Sequence, residues 1–185
     1  MKRGSLVAIV GSVGCGKSSL LSALLGQMTQ ISGDLSWSSE VRGDRGLAYV
    51  SQEPFLISAS VRENILLGQA FDGGRYERVL RVCCLDDDLK QLADGEWTAV
   101  GERGVALSGG QKARISMARA LYRKASVVLM DDPLSAVDSH VGQSLMRDAI
   151  VDYLGGATRL LVTNQLQLLH EAGACFCIVL CCFLC

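Results

Sequence analysis

The sequence lacks three features that would assign it to other classes of protein. Its longest strongly apolar run, residues 172–185, has 14 residues, whereas about 20 are needed to span a bilayer. Lys and Arg number 18 against 19 Asp and Glu, so the basic excess of a nucleic-acid-binding domain is missing. With only two prolines, no Pro-rich linker divides the 185 residues. We therefore expect one domain without a transmembrane helix and without a nucleic-acid partner.

Histidine is also scarce, whereas cysteine is plentiful but unsuitably spaced for a zinc site. The two histidines, His140 and His170, stand in different segments. Five of the eight cysteines fall within residues 175–185, without the two Cys-x-x-Cys pairs of a structural zinc site. We interpret residues 175–180 as a buried strand, in which Cys behaves as a small apolar residue.

Short apolar runs alternate with segments of helical periodicity along the chain. This alternation predicts an α/β fold built on a parallel sheet. Three helices between residues 58 and 92 interrupt the alternation and predict an inserted helical lobe. The predicted strands are 6–10, 47–50, 127–130, 159–163 and 175–180, and the predicted helices are 17–27, 61–67, 75–84, 85–92, 110–122, 139–153 and 165–170.

A glycine-rich loop between the first strand and the first helix has the pattern of a phosphate-binding loop. Residues 11–18 read Gly-Ser-Val-Gly-Cys-Gly-Lys-Ser. Glycines allow the backbone to wrap a polyphosphate, and the following helix directs its positive end at the anion. We expect Lys17 to reach the β- and γ-phosphates and the Ser18 hydroxyl to bind Mg²⁺.

Two acids end the apolar strand at residues 127–130. Asp131 is predicted to hold Mg²⁺, since a carboxylate at the carboxyl end of a parallel strand lies near the phosphate loop. Asp132 is predicted to polarise the attacking water. These positions predict a P-loop NTPase, with a chance pair of solvated loop acids as the alternative.

A second anion-binding pattern precedes another helix. Leu107-Ser108-Gly109-Gly110-Gln111 places a Ser and two Gly at a predicted helix N-terminus. One nucleotide does not need two such sites in one subunit. Two subunits facing head to tail would need them, because each phosphate loop would be closed by the partner's Ser-Gly-Gly.

Residues 107–111 resemble the signature motif of the ATPases of ABC transporters. Gln52 resembles their Q-loop and Ser135-Ala136-Val137-Asp138 their D-loop. The stretches 51–68 and 107–138 are most similar to the first nucleotide-binding domain of C-subfamily exporters, the multidrug-resistance-associated proteins. The resemblance implies a RecA-like parallel core sheet at about 1–55 and 109–185, with a helical subdomain at about 56–108 that docks on transmembrane domains.

The resemblance also implies ATP and Mg²⁺ as cofactors and a role for each motif residue. Gln52 would sense Mg²⁺, and Asp138 would communicate across a dimer of two nucleotide-binding domains. The implied nucleotide-binding set comprises Gly11, Ser12, Val13, Gly14, Cys15, Gly16, Lys17, Ser18, Ser19, Gln52, Ser108, Gly109, Gly110 and Gln111. The implied magnesium set is Ser18, Gln52 and Asp131, and the implied catalytic set is Asp132, Gln52 and Asn164.

The sequence departs from the family pattern at three places. Asp132 stands where most members have Glu, and Asn164 stands where a switch histidine is expected. No aromatic residue precedes Gly11 to stack on the adenine, and both ends look truncated relative to the family. A carboxylate misplaced by about 1 Å can lower a rate roughly 10²-fold, so we expect slow hydrolysis at this chain's own site.

The resemblance therefore leaves more than one function open. The chain is either an ATPase half of a membrane exporter or a regulatory module that holds nucleotide and completes a partner's site. Two further hypotheses are a non-functional fragment and a soluble ABC protein of translation or DNA repair, although the exporter-like stretch 51–68 argues against the second of these. As an exporter half or a regulatory module, the chain would lie on the cytosolic face of a membrane, held there by the transporter's membrane domains.

Overall fold

A five-stranded parallel sheet forms the centre of the computed structural model, which describes residues 2–42, 46–101, 104–165, 167 and 176–179. The first half of the chain forms β1 (Leu6–Val10), α1 (Lys17–Leu24), α2 (Ser39–Arg42), β2 (Leu47–Val50), β3 (Ala59–Ser60), α3 (Val61–Leu66), α4 (Gly73–Val82) and α5 (Asp86–Gln91). A 3₁₀ turn (Gly95–Trp97) then leads to β4 (Ala99–Val100), α6 (Gly109–Tyr122), β5 (Val127–Asp131), α7 (Ser139–Ser144), a π-helical continuation (Leu145–Tyr153), β6 (Thr158–Val162) and β7 (Phe176–Val179).

The strand order is β2-β5-β6-β1-β7, with every pair parallel. β6 therefore lies between the strand that precedes the phosphate loop and the strand that ends in the two acids. Val162 is in register with both Ile9 and Asp131. The carboxyl ends of three adjacent strands thus meet at one edge of the sheet, and this edge carries the candidate site.

Side chains alternate between two cores because successive residues of a strand point to opposite faces. On β5, Val128 and Met130 pack into the larger core, with residues of α6, α7 and its π-helical continuation. Val127 and Leu129 pack into the smaller core, together with Leu21 of α1. The buried sheet covered on both faces confirms the predicted α/β class.

Helix ends account for most differences from the predicted elements. α1 stops at Leu24 rather than at residue 27, because Gly26 adopts φ 75° and its N–H donates to the Ala23 carbonyl, a pattern that terminates a helix. α4 begins at Gly73, two residues earlier than predicted, since the Asp72 side chain accepts a hydrogen bond from the Arg75 N–H and caps it.

Other predictions fall on short or undescribed segments. The two-residue strands β3 and β4, which pair antiparallel, were too short to predict from the sequence. Most of the predicted helix 165–170 lies outside the described residues, as does most of the cysteine-rich segment. The boundaries predicted for the helical subdomain, about 56–108, stay a prediction, although this range contains α3, α4 and α5. Among the described helices, none combines the length and the apolar character required to cross a membrane.

Candidate nucleotide-binding site

The phosphate loop, residues 11–16, connects the buried strand β1 to α1. Gly14 and Gly16 adopt φ angles of 82° and 93°, which side chains rarely allow. A Cβ at either position would meet no atom within 4 Å. Glycine is therefore required there by the backbone and not by packing. Val13, which is 91% exposed, lies at the open tip of the loop.

The first turn of α1 has no side-chain cap. Its N-cap residue is Gly16, which has no side-chain oxygen to accept from the first helix amides, and no acidic residue stands in the first turn. Amides at a helix N-terminus lack partners within the helix and carry a partial positive charge. This helix start thus favours an external anion such as a phosphate.

The Lys17 side chain folds back on the phosphate loop. It is only 8% exposed, and its Nζ donates hydrogen bonds to the carbonyls of Gly11 (2.8 Å) and Ser12 (2.9 Å). Its remaining contact is with Cys15 Sγ at 3.9 Å, a weak acceptor. One of the three ammonium donors can therefore turn to a phosphate while the other two hold the loop closed.

Two buried carboxylates lie opposite the loop. Asp131 is 5% exposed and Asp132 is 6% exposed. Asp132 adopts a left-handed φ of 45°, and its N–H donates to the Val162 carbonyl at 2.9 Å. Among the residues that the structure describes, none forms a hydrogen bond with its buried Oδ1. Buried carboxylates need a compensating partner. Two adjacent buried acids therefore favour a cation or a water molecule that bridges them to a bound ligand.

Tyr49 is a neighbour of this pair that sequence analysis missed. Burial first, and then the negative charge of Asp131, raise the pKa of the Tyr49 hydroxyl. Tyr49 lies on β2, adjacent to β5. Its place in the predicted strand 47–50 was the only available signal, because the sequence does not specify that this strand lies beside β5.

Two of the residues that depart from the family pattern, Asp132 and Asn164, are in contact with each other. Asn164 Nδ2 donates to Asp132 Oδ2 at 3.4 Å, a long hydrogen bond. Gln165 holds the segment that carries Asn164 in position through two hydrogen bonds. Its Nε2 donates to the Leu134 carbonyl, and its N–H donates to Thr163 Oγ1. Asn164 is thus held beside the acids without being buried.

One cleft of about 160 Å³ joins these groups. It is lined by Val13, Gly14, Lys17, Ser18, Gln52, Asp131, Asp132, Val162 and Asn164. Eight of these nine residues belong to the predicted site, and Val162 was missed. A second cleft, of about 520 Å³, lies beside Arg3, Ser126 and Ala157, at the opposite edge of the sheet. It contains none of the predicted residues, so the smaller cleft is the candidate site.

The cleft suits a magnesium ion that shares its coordination with a substrate. Ser18 and the two acids provide oxygen ligands, which Mg²⁺ prefers. In the described part of the chain, no group of three or more His, Cys, Asp or Glu residues is arranged to hold a metal. Mg²⁺ usually binds through one or two carboxylates, water and phosphate rather than an all-protein cage, so this donor set fits.

The remaining predicted residues lie outside the cleft lining. Gly11, Ser12, Cys15, Gly16 and Ser19 belong to the loop and the start of α1 without lining the cleft. The signature turn, residues Ser108 to Gln111, is also absent from it. Ser108 caps α6 by accepting from the Gln111 N–H at 3.2 Å, and Gln111 Oε1 accepts from the Ser108 N–H at 2.9 Å.

The D-loop predicted from residues 135–138 leads into α7 and contacts the signature turn. Asp138 caps α7 by accepting from the backbone N–H groups of His140 and Val141. Its neighbour Ala136 lies so close to the signature turn that a Cβ on Gly110 would stand 3.1 Å from the Ala136 carbonyl oxygen. The two motifs thus touch within one chain.

A comparison with protein-family models matches residues 1–135 to the ABC transporter family. The match covers more than half of the chain and includes both the phosphate loop and the acidic pair. The chain belongs to the ABC transporter family. The predicted P-loop NTPase fold is thereby confirmed. Other members of the family supply closer comparisons.

The chain is identical to several sub-family C proteins at about half of the aligned residues. It is 49% identical to mouse (Mus musculus) ATP-binding cassette sub-family C member 4 over 170 residues, 92% of the chain. It is 47% identical to member 10 from Homo sapiens over 175 residues, 94% of the chain, and 51% identical to multidrug resistance protein fer6 of Mycosarcoma maydis over 170 residues, 91% of the chain. The chain spans 12% of the length of each relative. The predicted resemblance to the C subfamily is confirmed.

Proposed function

We propose that the chain is an ATP-binding module of an exporter and that it works in a head-to-tail pair with a second such module. The observation that carries this proposal is the convergence of Lys17, Ser18, Asp131 and Asp132 in one cleft while the signature turn lies elsewhere. A signature turn outside its own cleft is available to close the phosphate loop of a partner.

The residues of the cleft divide the chemistry of ATP hydrolysis among them. Lys17 and the first amides of α1 would bind the phosphates and stabilise the charge that develops on them. Asp132 Oδ1, a buried acceptor without a hydrogen-bond partner in the described part of the chain, would orient the attacking water. Ser18, Gln52 and Asp131 would hold Mg²⁺, which neutralises phosphate charge when bound.

Asn164 has two amide hydrogens and uses one of them on Asp132. The second would donate to the γ-phosphate. An amide cannot become positively charged, unlike the histidine expected there. The shorter acid and the uncharged amide together favour slow turnover, which supports a second candidate function: a module that holds nucleotide and mainly completes its partner's site.

We further propose that transmembrane domains of an exporter dock on the segment around α3 and hold the module at the cytosolic face of a membrane. Large apolar side chains are exposed there: Phe55 (67%), Leu67 (50%), Phe71 (51%) and Trp97 (60%). Exposed apolar groups of this size favour a protein partner. The name of one relative, multidrug resistance protein, agrees with an exporter.

Thermal unfolding with and without Mg-ATP tests the binding step. ATP at 100 times its Kd should stabilise the chain by about 2.7 kcal/mol, which raises Tm. Lys17→Ala should abolish this increase because the loop loses its cation. Lys90→Ala is the matched control, since Lys90 is 74% exposed and pairs with Asp87, and neither residue lines the cleft. An equal increase in all three proteins would contradict the proposed site.

A further inference from the structure

We propose that Asp88 of α5 is a positioning residue that sets the orientation of the signature turn. This inference rests on the proposed function, in which the turn closes a partner's site. Asp88 Oδ1 accepts a hydrogen bond from Gln111 Nε2 at 3.1 Å, and its Oδ2 accepts one from Arg114 Nη2. One carboxylate thereby holds two residues, one turn apart, at the start of α6.

Gln111 connects Asp88 directly to the backbone of the turn. Its Oε1 accepts from the Ser108 N–H at 2.9 Å while its Nε2 donates to Asp88. Both ends of the Gln111 amide are therefore occupied, so that its plane is fixed. A displacement of Asp88 would be transmitted through this single side chain to the Ser108 N–H.

The Asp88–Arg114 ion pair is much less exposed than its neighbour in the sequence. The side chains of Arg114 and Asp88 are 12% and 17% exposed, whereas those of Lys90 and Asp87 are 74% and 86% exposed. Exposed pairs contribute little, but breaking a sequestered pair leaves a charge without its partner. Asp87 is thus a matched control for Asp88, one residue away on the same helix.

The other side of the signature turn rests on the loop after β5. The turn lies close to this loop, since a Cβ added to Gly110 would stand 3.1 Å from the Ala136 carbonyl oxygen. α6 itself does not depend on Asp88, because Ile115, Met117 and Leu121 are buried in the larger core. Loss of Asp88 should therefore release the first turn of α6 while the rest of the helix stays folded.

The experiment compares Asp88→Ala, Asp88→Glu and Asp87→Ala in the full chain, with Mg-ATP and a second copy of the chain as probes. For Asp88→Ala we expect an unchanged Kd for ATP, because Asp88 does not line the cleft. We expect ATP-dependent pairing, measured by sedimentation, to weaken about tenfold, the effect of one charged hydrogen bond. Asp88→Glu should recover part of the pairing, and Asp87→Ala should match the wild type.

Hydrogen exchange of the Ser108 and Gln111 amides is the second measurement. Both amides are bonded in the capping box and should exchange faster in Asp88→Ala, while amides near Leu121 do not change. Unaltered exchange, or equal losses in Asp88→Ala and Asp87→Ala, would overturn the positioning role. If wild-type copies do not pair with ATP, and Ser108→Arg alters nothing, the proposed trans contact fails, and amide exchange alone still decides the role of Asp88.

Discussion

α1 and α6 both begin with a Gly-containing turn, yet their N-termini are built for different partners. The N-cap residue of α1 is Gly16, with φ 93° and no side-chain cap, and a buried lysine stands at the first position of the helix. The N-cap residue of α6 is Ser108, with φ −64° and a complete capping box with Gln111. The first turn of α1 is thus left to an external anion, whereas that of α6 is partly satisfied by its own side chains.

The difference shows two ways in which one chain satisfies the amides at the start of a helix. A capping box uses two donors, the N–H groups of Ser108 and Gln111, and fixes the turn before any ligand arrives. The turn at α1 instead relies on Lys17, whose charge sits among the loop carbonyls. We infer that the first turn of α1 provides the affinity for ATP, whereas the first turn of α6 presents a rigid surface to a partner.

The largest expected effect comes from restoring the family residues beside α1. Asp132→Glu combined with Asn164→His should raise ATP turnover up to about 10²-fold, because the carboxylate then reaches about 1 Å further toward the water. Turnover of the purified chain under saturating Mg-ATP is the measurement. Asp152→Glu, an exposed change lining only the opposite cleft, is the control. Unchanged turnover in a folded double variant would show that other residues limit the rate.

Exchanging glycine for alanine in each turn should separate their functions. Gly16→Ala forces a side chain into a left-handed conformation, at a cost of about 1–2 kcal/mol, and should weaken ATP binding about tenfold. Gly110→Ala crowds the Ala136 carbonyl, so it should impair pairing and leave ATP affinity unchanged. Titration calorimetry with ATP and sedimentation measure the two effects.

Gly73→Ala is the matched control for both variants. Gly73 lies at the first position of α4 without a left-handed φ, and an added Cβ would meet only the Phe71 ring at 3.7 Å. Neither ATP affinity nor pairing should change in this variant. If Gly110→Ala weakened ATP binding as much as Gly16→Ala did, the division of roles between the two turns would be wrong.

The sequence predicted the sheet and the cleft residues because both depend on local patterns. A short apolar run before Gly11 and another before Asp131 suffice to place two strands, and parallel strands bring their carboxyl ends to one edge. Tyr49 and Val162 could not be assigned to the site, because their closeness depends on the strand order β2-β5-β6-β1. Nothing local in the sequence specifies that order.

The contacts of Asp88 with Gln111 and Arg114 could not be predicted from the sequence either. Asp88 stands among three consecutive aspartates, and the sequence does not distinguish the one that pairs with Arg114 from the one that pairs with Lys90. The folded chain makes that choice by placing Asp88 within hydrogen-bond distance of Gln111 and Arg114 at the start of α6. The ends of α1 and α4 were misplaced for a related reason, since the backbone angle of Gly26 and the cap formed by Asp72 depend on the folded chain.

The smallest expected effect concerns Asp138, which caps α7 as Ser108 caps α6 but with a titratable group. The pKa of the Asp138 carboxyl lies below its ordinary value of 3.8, chiefly because of the hydrogen bond from the Val141 backbone. Burial opposes this shift, and the hydrogen bond from the His140 backbone lowers the pKa by a smaller amount. A carboxyl whose pKa is lowered on folding stabilises the folded state above its unfolded pKa, and this contribution is lost as the pH falls through the folded pKa.

The difference in unfolding free energy between the wild type and Asp138→Ala should therefore be largest near neutral pH and shrink as the pH falls from about 5 to about 2. Urea unfolding at several pH values measures it. Ser108→Ala serves as the comparison, because a hydroxyl cap does not titrate in this range and its difference should stay level. Parallel curves for the two variants would mean that the Asp138 charge contributes nothing to α7, and that the two capped helix starts differ only in the partner that each one faces.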